Sequence, residues 1–191
     1  MSIHHEISFE SEICQHLAEN GWLYAEGDAA TYDRKRAIYP PDVLAWVQET
    51  QPKAWETLVK NHGAQAEENL LARLRDQLDQ RGTLDVLRHG IELLGLKQPL
   101  KLAEFKPALA INQDILARYA ANRLRVIRQV RYSLFSENSI DLVLFINGSA
   151  SGDGGVEDGL HPKHRRRDRP ISFRPPPAAE GADCGATAVV S

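Results

Sequence analysis

Residues 122–148 read NRLRVIRQVRYSLFSENSIDLVLFING. Val126, Ile127, Val130, Tyr132 and Leu134 form an extended run with polar residues between them. Ser136-Glu137-Asn138-Ser139 carries turn chemistry. Ile140 to Ile146 follows as a nearly continuous apolar run broken by Asp141 alone. β-Branched and aromatic side chains suit a pleated surface, and a nearly unbroken apolar run suits a strand covered on both faces. The stretch therefore predicts two strands in a hairpin, 124–134 and 139–147, the second buried on both sides. Asn147-Gly148 is a strong two-residue turn signal, because a type I′ turn needs positive φ at both central positions.

Upstream the period is helical. Ser8 is a good N-cap for a helix over 7–20, with Glu10 and Glu12 in its first turn, where the helix dipole favours acids. Phe9, Ile13 and Leu17 recur at spacing four and predict one buried face. Asn20-Gly21 closes that helix, and Trp22-Leu23-Tyr24 reads as a short buried strand or staple. Pro40-Pro41 opens a helix through about Thr50, and Pro52 opens another through about Asn61. Residues 64–80 carry the stripe Leu70, Leu71, Leu74, Leu78 with charges opposite, too short for a zipper and therefore core. Thr83 caps a short helix to about Arg88, and 112–124 make the last one.

Composition limits what the chain can be. At 191 residues it is long enough for one domain with a real core. A net charge of −3 gives no global attraction to nucleic acid, so any contact with DNA must come from a local patch. Two cysteines, Cys14 and Cys184, stand in dissimilar contexts, which argues against a disulfide framework or a zinc site and fits a reducing cytoplasm. Cys14, beside the apolar stripe, reads as a small core residue; His4, His5 and His16 lack metal-ligand spacing and read as solvated. The polar, acidic N-terminus MSIHHEISFESE is not a signal peptide, and no apolar run approaches the ~20 residues that cross a bilayer. From Ser149 onward Gly, Pro, Ala, Arg and Ser dominate without periodicity, and residues 149–191 read as a disordered tail. The cluster His164-Arg165-Arg166-Arg167 within it could touch phosphate, but arginine also arises readily from out-of-frame GC-rich codons.

Asp141 carries the chemistry. An acid at the start of a buried strand sits where it can hold Mg²⁺ against a phosphodiester. A Glu on the next strand shares such an ion. A Lys two residues on points the same way, because strand side chains alternate, and positions the water. An acid on the preceding helix, here Glu10, adds an outer ligand, although the helix dipole explains Glu10 equally well.

The order FESEICQHLAENGW (9–22), a long helical insert, NRLRVIRQVRYS (122–133) and NSIDLVLFING (138–148) resembles the N-terminal nuclease domain of the type I restriction enzyme R subunit. The resemblance covers residues 7–148. It implies an α/β fold with a PD-(D/E)xK restriction-endonuclease-like core. It implies Mg²⁺ held by Asp141, with Glu10 as the helix acid, and double-stranded DNA as substrate. Its implied partners are the methyltransferase and specificity subunits. Gln129, Asn122 and Arg123 fall on positions typical of the family. The family's ATP-driven motor would follow in the same chain, and no GxxxxGK[ST] pattern occurs here, so ATP is not expected to bind these residues.

After Gly148 the family continues with a segment such as LPVATAELKT, which supplies the Glu and Lys. This chain continues SASGDGGVEDGLHPKH (149–164). Permitted codons from Gly148 onward, with one G deleted from the first, reread as GLPVATAELKTDF. Pro170 to Pro177 can likewise yield QYRFDRPP. A one-nucleotide insertion at Gly148 is therefore inferred. Glu157, in a glycine-rich run, does not replace the lost pair. The expectation is an incomplete core over 1–148 with an out-of-frame tail over 149–191, marginally stable and catalytically dead. The alternatives are a non-catalytic module that docks on the partner subunits, and a truncated product without function.

Overall fold

The computed structural model describes residues 3–109, 111–135 and 137–151, all within one compact unit. Most of the expected tail, including the His164–Arg167 cluster and Cys184, lies outside the described residues. Among the described residues seven α-helices and three strands follow in order, with a short 3-10 turn at Gly63–Gln65 between the fourth and fifth helices. They are α1 (Ile3–Glu19), α2 (Asp28–Thr31), α3 (Pro40–Thr50), α4 (Pro52–His62), α5 (Ala66–Arg81), α6 (Thr83–His89) and α7 (Gln113–Ala120), then β1 (Leu124–Arg131), β2 (Ser139–Ile146) and β3 (Ser149–Ala150). The fold is mixed α/β, helices beside a small sheet of order β1-β2-β3. The three strands are antiparallel. Among the described residues the parallel element is a single bridge between Leu23 and Arg125, where Leu23 N–H donates to Leu124 O and Val126 N–H donates to Leu23 O.

Local chemistry explains the helix ends. α3 and α4 each begin on proline at the first turn, where the missing N–H costs no hydrogen bond and φ is already set. α1 ends with Trp22 N–H donating to Leu17 O and Gly21 N–H donating to Ala18 O around left-handed Gly21, a Schellman closure. Asn112 caps α7, its Oδ1 accepting from the Asp114 and Ile115 N–H groups. Three expectations are corrected here. α1 starts at Ile3, so Ser8 is internal and not a cap. Phe9 is 63% exposed, so the predicted stripe of α1 is only partly covered. α7 also ends at Ala120, before the predicted limit.

The larger core is helical. Trp46 and Val47 of α3, Leu58 of α4, Leu70 and Leu74 of α5 and Val86 of α6 pack with Ile91, Leu100 and Leu102. Each fully buried side chain of this size contributes about 1.5–3 kcal/mol of transfer free energy. A smaller core joins Tyr32 and Tyr39 to Ile127, Val130 and Phe145 on the sheet, with Tyr32 edge-on to Phe145 at 5.9 Å between centroids.

The hairpin forms as predicted but is shorter, because Tyr132 to Leu134 fall outside β1. β2 is not buried on both faces. Phe145 is its fully buried residue, and Leu144 is exposed on the opposite face. The continuous apolar run reflects a face that the described residues do not cover. Asn147 (φ 47°) and Gly148 (φ 78°) make the two-residue turn, with Ile146 paired to Ser149. Ser149 and Ala150 are therefore strand and not the start of a disordered tail. A two-residue turn delivers the next residues onto β2 whatever their side chains are, and Ser151 N–H still donates to Leu144 O at 2.8 Å. A methyl group on Gly148 would run into the Tyr39 carbonyl and the Val43 side chain, so the turn rests against the start of α3. No helix among the described residues is long and apolar enough to cross a membrane.

Candidate functional site

Glu10 lies midway along α1, and Asp141 is the third residue of β2. Gln129 of β1 joins them. Its Nε2 donates to Glu10 Oε2 at 3.4 Å and to Asp141 Oδ1 at 3.3 Å, while its Oε1 accepts from Ser139 Oγ at 2.8 Å. Arg128, one residue earlier, donates to Glu10 Oε2 through Nη2 at 2.9 Å and Nε at 3.3 Å, and to Ser11 Oγ at 3.0 Å. Arg128 pairs with Leu142 and Val130 with Ile140, which sets Gln129 opposite Asp141. Gln129 has φ 52°, left-handed in mid-strand. For a residue with a Cβ this costs on the order of 1–2 kcal/mol and persists only where the surroundings enforce it.

The charge balance favours a structural pairing at Glu10. The Tyr24 hydroxyl first, and Glu10 second, hold the Arg128 guanidinium above its usual range. Cys14, fully buried one turn from Glu10, has its thiol pushed up by burial, with Arg128 opposing the shift. It is a core residue, as the sequence predicts. Asp141 is exposed.

Asn122, Arg123 and Asn147, the first two without a role at the sequence level, form a clamp at the other end of the hairpin. Asn147 is 2% exposed. Its Oδ1 accepts from Arg123 N–H at 2.6 Å, and its Nδ2 donates to Leu102 O at 2.8 Å and Asn122 Oδ1 at 2.9 Å. Asn122 Nδ2 donates to Glu104 O at 2.7 Å. Glu104 in turn accepts from Arg118 Nε at 2.9 Å and Lys101 Nζ at 3.0 Å. Burial raises the Glu104 pKa, but these two cations outweigh it and hold the carboxyl below its usual range.

A second cluster escaped the sequence reading. Arg125 of β1 forks onto Asp42 of α3 (Nε to Oδ2 2.6 Å, Nη2 to Oδ1 3.0 Å) and donates to Asp28 of α2 at 2.6 Å. Its guanidinium lies 4.5 Å from the Tyr39 ring centre, and Tyr39 OH donates to Asp28 Oδ1 at 3.1 Å. Burial alone would lower the Arg125 pKa; the hydrogen bonds to Asp42 and Asp28 reverse this and raise it. The available signal was Arg125 itself, a charge set between Leu124 and Val126 in a strand that packs on a core.

Ser149 is 1% exposed, and its Oγ has no hydrogen-bond partner among the described residues. It bridges Ile38 on one side and pairs with Ile146 on the other. A hydroxyl here occupies a position whose surroundings suit an apolar side chain.

Glu10 and Asp141 are the predicted metal residues, and the structure brings them to one amide. Among the described residues no three His, Cys, Asp or Glu side chains gather as a metal site. Compared with family models, with curated proteins and with solved structures, the chain matches none.

Proposed function

We propose that this chain is the N-terminal part of a type I restriction enzyme R subunit, a PD-(D/E)xK nuclease domain interrupted after Gly148 and catalytically inactive by itself. The observation that carries this reading is the meeting of Glu10 and Asp141 on Gln129. Gln129 lies 119 residues from Glu10 and 12 from Asp141, and the two acids follow the order the resemblance calls for. The buried, unpartnered Ser149 hydroxyl supports the interruption, because rereading the codons puts leucine at that position.

Mg²⁺ is the ion this reading implies, and the described residues do not fit it as a working centre. Asp141 is an exposed carboxylate bonded to the Gln129 amide, and Glu10 is already paired with the Arg128 guanidinium. Two such groups leave a hard octahedral ion short of ligands, and Ser149-Ala150-Ser151 brings neither a second acid nor a lysine beside them. The described residues by themselves therefore offer no route to DNA hydrolysis. Asp141 is kept as the ancestral ligand, and ATP belongs to a motor that these residues do not contain.

The test is to sequence the gene across the Gly148 codon and the following hundred or so bases. An absent G means the protein continues through GLPVATAELK as an intact nuclease. A present G means the chemistry ended there. In parallel, the purified chain is expected to leave supercoiled plasmid intact in Mg²⁺. Nicking that disappears in Asp141→Ala would refute the inactive reading.

A second reading, a docking module for methyltransferase and specificity subunits, is favoured by exposed Leu84, Leu94, Phe105, Leu109 and Ile111 around the helical insert. Co-purification of the chain with those subunits would support it, and elution free of them would not.

A further inference from the structure

We draw no further inference here: the strongest candidate, the apolar groove of about 770 Å³ lined by Leu84, Leu87, Phe105, Tyr119, Leu124 and Ile146 beside β3, is an unpartnered surface, and nothing in the structure shows what covers it.

Discussion

Replacing Arg125 with methionine isolates the bond between the sheet and the helices. The guanidinium makes three hydrogen bonds of 2.6–3.0 Å to two acids. The Asp42 and Asp28 side chains are only 3% and 10% exposed. Methionine fills much of the same volume but leaves both carboxylates buried without a cation. Removing one partner of a buried pair costs about 3–5 kcal/mol, and two stranded acids put this case at the upper end. The lost stacking on Tyr39 adds about 1 kcal/mol. A domain of this size holds about 5–15 kcal/mol in total, so the variant should be partly unfolded or close to it. Urea unfolding followed by tryptophan fluorescence reads this directly, because Trp46 sits in the main core. With a slope of about 2 kcal/mol/M the midpoint should fall by about 3 M with little change in slope. Adding Asp28→Asn and Asp42→Asn to Arg125→Met should recover most of the loss. A loss under about 1 kcal/mol in the single variant would refute the reasoning, since that is what a solvent-screened pair contributes.

Ser149→Ala removes a buried hydroxyl without a partner and should stabilise by about 1–3 kcal/mol, seen as a melting midpoint several degrees higher; a lower midpoint would mean that the hydroxyl is satisfied. Gly148→Ala combines a left-handed backbone with a clash against Tyr39 and Val43, and should cost about 2–5 kcal/mol; unchanged denaturant stability would contradict the tight approach. The Glu104 pKa is lower folded than unfolded, so its contribution is complete above the ordinary carboxylate range and is lost as pH falls through that range toward the folded value. Glu104→Gln should therefore weaken the chain at pH 7 and flatten its stability loss in acid; an unchanged acid slope would exclude Glu104 as a source.

The sequence was legible where structure is local. Pro40-Pro41 and Pro52 announce helix starts, and Asn147-Gly148 announces a turn, because each acts through its own backbone torsions. The stripe Leu70–Leu74 announces a core face through its spacing. What stayed hidden depends on distant chain. Whether Phe9 is covered depends on what packs against α1. Nothing around Asp28 or Asp42 says that both will meet Arg125, since either acid also suits the first turn of an exposed helix. Gln129 is ordinary in composition for a strand, and its left-handed backbone follows from bonds to Glu10, Asp141 and Ser139. Asp141 and Glu10 stand out in the sequence as acids, whereas the amide that joins them and the arginine that engages Glu10 do not.

The Arg125 cluster also sets a timetable. Asp28 and Asp42 precede their partner by 97 and 83 residues. At about 5–20 residues per second, a ribosome delivers Arg125 roughly 5–20 s after Asp28. The core of α3 to α6 is sequence-local and can close during that wait, with both acids still hydrated. With that core closed through Leu102, the flexible span left to close before Arg125 is roughly two dozen residues, an entropic cost of about 3 kcal/mol. Three strong hydrogen bonds and the bridge at Leu23 offset that cost together, so the sheet should dock late and in one step, after the helices have already folded.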